Sequence, residues 1–130
     1  MQATHDSGIN ASLDWRMEQL KTMKRMLYDH WEEFILALYT DLGKNRTEAA
    51  GTELILLERE IDYFLGNLKN LMAPRQVPSP GVSLPAFTTV TPRPKTGPAC
   101  LVIGPSNYPL SLSLQPVVGG LAAGNPCILK

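Results

Sequence analysis

Residues 100–130 read CLVIGPSNYPLSLSLQPVVGGLAAGNPCILK. Cys100-Leu101-Val102-Ile103 is short, wholly apolar and stopped by Gly104-Pro105, the pattern of a strand buried on both faces. Tyr108-Pro109 can open a helix, because proline is tolerated in a first turn. Leu110 to Ala123 keeps helical character, with a kink expected at Pro116, and Gly124-Asn125 closes it. Cys127-Ile128-Leu129 begins a second apolar strand. The unit is β-α-β, and a right-handed crossover makes its strands parallel. Two buried strands do not complete a doubly wound sheet, so an incomplete sheet is expected, with Lys130 in or just after a strand.

Ahead of this unit the periodicity is helical. Leu13, Met17, Leu20, Leu27, Trp31, Phe34 and Leu38 recur in steps of three, four or seven and predict one face of a long helix. Asp41-Leu42-Gly43 ends it, with Gly43 suited to the left-handed C′ position. Ala50, Leu54, Leu57, Ile61, Phe64, Leu68 and Leu71 alternate steps of four and three and predict a second, unbroken helix. Asn45 with Glu48 three residues later resembles a capping box, and Pro74 stops the helix. The short connection predicts an antiparallel pair. Both stripes read as core; neither is sustained over enough heptads for a partner-binding coiled coil.

Pro74, Pro78, Pro80, Pro85, Pro92, Pro94 and Pro98 exclude a helix between the two halves. Within that stretch, Ala86-Phe87-Thr88-Thr89-Val90-Thr91 is rich in β-branched residues and suits an edge strand or an extended linker. The chain therefore divides into a helical region at 1–73, a proline-rich extended segment at 74–98 and the start of an α/β domain at 99–130.

Composition narrows the function classes. The chain has 130 residues, 44% hydrophobic and 18% charged, ordinary for one globular domain. With 12 basic and 12 acidic residues and no basic stripe, a nucleic-acid partner is not indicated. Met1 to Asn10 is polar and is not a signal peptide. No apolar run approaches the ~20 residues of a membrane span. Cys100 and Cys127 lie in apolar runs, where thiols are inert packing. A reduced, cytoplasmic chain is expected, and no metal site is read.

The turn from Gly104 to Pro109 joins the carboxyl end of a strand to a helix start, where open α/β sheets bind ligands. Helix-start N–H groups favour negative charge. Asn107 at that mouth has two readings. It can cap the helix, or its neutral amide can donate to a developing oxyanion. No G-x-G-x-x-G follows the strand, so the ordinary dinucleotide fingerprint is absent.

Gly104-Pro105-Ser106-Asn107-Tyr108-Pro109-Leu110, Pro116-Val117-Val118-Gly119-Gly120-Leu121-Ala122-Ala123-Gly124-Asn125 and Ile128-Leu129-Lys130 resemble, in order and separation, a long signature of aldehyde dehydrogenases. Asp41-Leu42-Gly43-Lys44 is similar to the D-L-G-K of the class 3 and fatty-aldehyde branch. The resemblance runs from about Trp15 to Lys130. It implies an α/β fold, with an N-terminal helical pair followed by the first β-α-β of the coenzyme-binding domain. It implies NAD or NADP as coenzyme, an aldehyde substrate leaving as a carboxylate, and a homodimeric full-length form that can be membrane-associated. By resemblance, Asn107 hydrogen-bonds the thiohemiacetal oxyanion and Lys130 contacts the adenosine ribose or its 2′-phosphate. Ile103, Gly104, Pro105 and Ser106 would lie beside the coenzyme, and Tyr108 and Leu112 at the aldehyde entrance.

Two departures qualify the resemblance. Ser106 stands where the family has an aromatic residue, which removes a wall beside the coenzyme. The family's nucleophilic cysteine, general-base glutamate and glycine-rich coenzyme turn lie further along a longer chain, so these 130 residues alone are expected not to turn over. The alternatives are a non-catalytic chain that binds full-length homologous subunits, and a general helical interaction module.

Overall fold

Ser12 opens the first helix by accepting a hydrogen bond from the Trp15 amide at 3.1 Å, an N-cap contact. The computed structural model describes residues 6–83, 85–93 and 99–130; Pro94 and Pro98 lie outside them. Helix α1 spans Leu13–Asp29 and α2 spans Trp31–Leu42, so the single long helix expected over this stretch is broken. At His30 the backbone leaves helical geometry, with φ −112° and ψ 18°. Asp29 and His30 are weak helix formers, and Glu32 and Glu33 suit a new first turn. The buried face moves by one residue across the break, so that Ile35 and Leu38 are buried while Trp31 and Phe34 pack at the margin.

The end of α2 follows expectation. Gly43 has φ 68°; its N–H bonds Tyr39 O at 2.9 Å, and the Lys44 N–H bonds Leu38 O at 3.4 Å. This is the αL motif, a C′ glycine whose N–H bonds the C3 carbonyl, and it turns the chain so that Lys44 enters the interior. Asn45 then accepts from the Glu48 amide at 3.0 Å and starts α3, Arg46–Ala49. The second predicted helix is also interrupted. A π-helical turn, Ala50–Leu54, separates α3 from α4, Ile55–Met72, and its widened loop is closed by the Ile55 N–H on Ala50 O. Ala73 takes extended geometry ahead of Pro74, as the residue before proline must.

Helices α1 and α4 pack on each other, and both pack on a helix from the last third of the chain. Leu20, Leu27, Leu54, Leu57, Ile61 and Val118 are fully buried between them. Burying each such side chain is worth about 1.5–3 kcal/mol relative to exposure. Outside this core, Lys24 on α1 bonds both oxygens of Asp62 on α4 at 2.6 and 2.8 Å.

Among its described residues the proline-rich segment holds a two-stranded ribbon and a 3₁₀ turn, Gly81–Ser83. Strand β2, Thr88–Val90, falls inside the segment read as a possible edge strand. It pairs antiparallel with β1, Arg75–Val77, in the register Arg75↔Val90, Gln76↔Thr89, Val77↔Thr88. Strand β1 had no sequence signal beyond the end of the helix before it.

In the last third, β3 is Cys100–Val102, α5 is Ser111–Ala122 and β4 is Cys127–Leu129. The two strands are parallel, in the register Cys100↔Cys127, Leu101↔Ile128, Val102↔Leu129, so the β-α-β unit stands as expected. Bonds from Gly104 N to Lys130 O and from Lys130 N to Val102 O extend the ladder. Three expectations are corrected. The helix opens at Ser111, two residues after Pro109, because a side chain from α3–α4 fixes its first amides (below). The strands are not buried on both faces: Leu101, Ile128 and Leu129 are 62%, 45% and 48% exposed, since α5 covers one side only. Cys100 is exposed rather than buried packing, and Cys127 is half-buried.

Candidate functional site at the β3–α5 turn

Glu53 lies in the π-helical turn and is fully buried. Its Oε2 accepts from the Leu110 and Ser111 amides at 2.8 and 3.1 Å. A carboxylate from another helix thus takes the position that an N-cap or an anion would fill at the start of α5. Its charge is compensated by Lys44, whose Nζ lies 2.5 Å from Glu53 Oε1. Nζ also donates to Asn107 O at 2.9 Å and sits 3.8 Å from the centroid of the Tyr108 ring, a cation–π contact. The three donors of the ammonium are thereby spent on a carboxylate, a carbonyl and a ring face. The contacts to the Asn107 carbonyl and the Tyr108 ring hold the turn itself, and those to the Leu110 and Ser111 amides hold the helix start that follows it.

The other end of α5 is held by opposite charge. Arg16 on α1 is buried; it donates from Nη1 to Ala122 O at 3.2 Å and from Nε to Asn10 O at 2.8 Å. Asn10 in turn donates to Gly124 O at 2.6 Å. Burial pushes the Arg16 pKa down. Among the described residues its Nη2 has no hydrogen-bond partner. A carboxylate at the amino end and a guanidinium at the carboxyl end both suit the helix dipole.

The sequence-derived residues fall into two groups around the turn. Asn107, Tyr108 and Leu112 line one concavity with Gly51, Leu56 and Gln115, of about 530 Å³, a size that suits a small molecule. Gly104, Pro105 and Lys130 line a second groove with Leu129, Ser113 and Phe34, of about 500 Å³. Ile103 is 69% exposed, and Ser106 is exposed on the turn between the groups. Asn107 is also exposed. Its expected alternative as a helix cap does not hold, because Glu53 occupies the first amides. Gly104 lies close on α5: a Cβ there would meet Ser113 Oγ at 1.9 Å and Ser113 Cβ at 3.1 Å, so a larger residue requires the Ser113 side chain to turn away.

Glu53, Lys44 and Arg16 were not singled out as site residues from sequence. The available signals were faint: Glu53 is a charge beside the apolar stripe at Leu54, Arg16 one beside Met17, and Lys44 follows the capping glycine.

The groove at Gly104, Pro105 and Lys130 has apolar walls and an exposed cation at its edge, features that fit a nucleotide's adenosine end. The α5 start does not fit a pyrophosphate in the ordinary way, since Glu53 already holds its amides. Neither cysteine is near Asn107: both stand at the beginnings of β3 and β4, away from the turn that follows β3. No helix of the described residues is long and apolar enough to cross a membrane.

Comparison with known proteins gives a consistent result. The aldehyde dehydrogenase family model matches residues 4–130. Aldehyde dehydrogenase family 3 member H1 of Arabidopsis thaliana is 35% identical over 130 residues, 100% of this chain and 26% of that protein. 4,4'-Diapolycopene-4,4'-dial dehydrogenase of Cytobacillus firmus is 37% identical over 124 residues, 95% of this chain and 27% of that protein. Among solved structures, substrate-bound AldH of Staphylococcus aureus matches with a TM-score of 0.89 and 31% identity, over 99% of this chain and 28% of that one. The chain spans about a quarter of the length of these relatives.

Proposed function

The chain belongs to the aldehyde dehydrogenase family, and from that premise we propose that it supplies the oxyanion donor and one wall of the coenzyme groove for oxidation of an aldehyde to a carboxylate. The observation that carries this reading is the exposed Asn107 amide, held at the mouth of a small-molecule-sized concavity by a turn whose backbone is fixed through Lys44 and Glu53. A neutral donor pre-aimed in this way stabilises charge as it develops, without reorganisation during the reaction. Tyr108, Leu112 and Leu56 give that concavity apolar walls, which suits an aldehyde on a hydrocarbon body.

Gly104, Pro105 and Lys130 would hold NAD or NADP, with the Lys130 ammonium facing the ribose hydroxyls or a 2′-phosphate. When bound, that group accepts the hydride. The residues of this chain orient and polarise; they do not attack. The attacking thiolate of the reaction is not Cys100 or Cys127, given their placement at the strand starts. Accordingly the 130 residues alone will produce no NADH from a medium-chain aldehyde. The two free thiols suit a cytoplasmic setting.

The test replaces the matching segment of the Staphylococcus aureus relative with this chain and compares the chimera with its Asn107→Ala variant. The expected result is a kcat lower by about two to three orders of magnitude, with coenzyme binding unchanged. Equal kcat values would overturn the proposal. A second reading, a non-catalytic chain that docks on full-length homologous subunits, draws on the exposed Leu101, Ile103, Ile128 and Leu129. Co-purification with such a subunit, with no effect of Asn107→Ala, would favour it.

A further inference from the structure

Cys100 and Cys127 are direct register partners at the first positions of adjacent parallel strands. Neighbouring strands lie about 4.8 Å apart, inside the roughly 4.4–6.8 Å separation of α-carbons that a disulfide spans. Partners in register present their side chains on the same face of the ribbon. For Cys127 that face is the one toward α5, because its Sγ lies 2.3 Å from where a Cβ on Gly120 would stand. Gly120 therefore leaves room for the thiol. The two thiols differ in setting: Cys100 is exposed and Cys127 half-buried. Burial, and behind it the charge and hydrogen bonding of the Cys100 thiol, raise the Cys127 pKa. Cys127 is thus held toward its thiol form, and the exposed Cys100 is the one an oxidant meets first.

We propose that Cys100 and Cys127 form an oxidisable dithiol that hydrogen peroxide converts to a disulfide between β3 and β4. The Cys100 thiolate attacks one peroxide oxygen. An S–O bond forms, the O–O bond breaks, and the departing hydroxide takes up a proton to leave as water. The Cys127 thiol then attacks the Cys100 sulfenic sulfur. The S–S bond forms, the S–O bond breaks, and hydroxide leaves with the Cys127 proton as a second water. Two thiols are oxidised and one peroxide is reduced. The crosslink closes a loop holding the β3–α5 turn and all of α5, so it braces the unit that carries Asn107 from the end opposite the turn. The site is independent of the aldehyde reading, and its test involves no turnover.

The reduced chain is exposed to hydrogen peroxide in native buffer and, separately, in concentrated urea. Remaining thiols are then blocked with a maleimide and the intact mass is read. The expected result is a monomer that has lost two hydrogens and carries no maleimide. Peptide mapping should link Cys100 to Cys127, and dithiothreitol should restore both labels. Alignment of the strands should make the bond form about tenfold or more faster in native buffer than in urea. Cys100→Ser and Cys127→Ser should each leave one blockable or over-oxidised thiol and no internal crosslink. The proposal is overturned by two maleimide adducts surviving peroxide, by crosslinks only between chains, or by a native rate no greater than that in urea.

Discussion

Glu53 and Lys44 act as a pair. Both are buried, each satisfies the other, and together they fix three backbone groups of the β3–α5 turn. Removing one partner of a buried ion pair costs about 3–5 kcal/mol, whereas exchanging both for apolar residues costs far less. Lys44→Ala is therefore expected to lower unfolding stability by that amount, and Lys44→Met with Glu53→Leu by less than Lys44→Ala, in a urea melt. Equal losses for the single and double variants would mean that the charges do not compensate each other. From sequence, Asn107 stood out because of its place in a turn and its motif. Glu53 did not, because a glutamate next to a leucine stripe reads as the polar margin of a helix. Only the partner that reaches it from elsewhere in the chain gives it a reason to be inside.

Three helix boundaries followed local chemistry and were readable. Gly43 and Gly124 both take positive φ, 68° and 81°, where each was expected to close a helix, and Asn45 caps as predicted. The β-α-β unit could be read because two wholly apolar runs flank one helical run. The break at His30 and the π turn at Ala50–Leu54 escaped periodicity, since each shifts a stripe by about one residue and a stripe of leucines tolerates that. Strand β1 escaped because its signal is pairing with β2, a contact distant in sequence. Gly124 carries a further constraint, since a Cβ there would lie 2.6 Å from Arg16 Nη2. Gly124→Ala combines that clash with a strained backbone and should cost more than about 1 kcal/mol. Thermal unfolding would show it, and an unchanged melting temperature would remove Arg16 from the role of holding the end of α5.

The molecule is two layers of unequal finish. The helical layer is closed around Leu20, Leu27, Leu54, Leu57 and Ile61, while the β3–β4 ribbon shows Leu101, Ile128 and Leu129 to solvent. Uncovered strand edges and apolar faces recruit other chains. The isolated 130 residues are expected to associate as concentration rises, and charged residues at Leu101 and Ile128 should suppress this. Sedimentation of the chain and the Leu101→Lys/Ile128→Glu variant would check it; a monomer at all concentrations would contradict it. The aldehyde dehydrogenase family was readable from the motifs between Gly104 and Lys130, despite the departure at Ser106, yet the reason the turn holds its shape came only from the packing of the first half on the last third.

The decisive measurement is amide hydrogen exchange at Leu110 and Ser111. Both amides should be protected, Glu53→Ala should release them, and Asn107→Ala should leave them protected, because the asparagine amide is free for a substrate. Loss of protection in Asn107→Ala would make Asn107 a helix cap, and unprotected amides in the unaltered chain would remove the Glu53 contact that frees it; either result contradicts a free Asn107 amide.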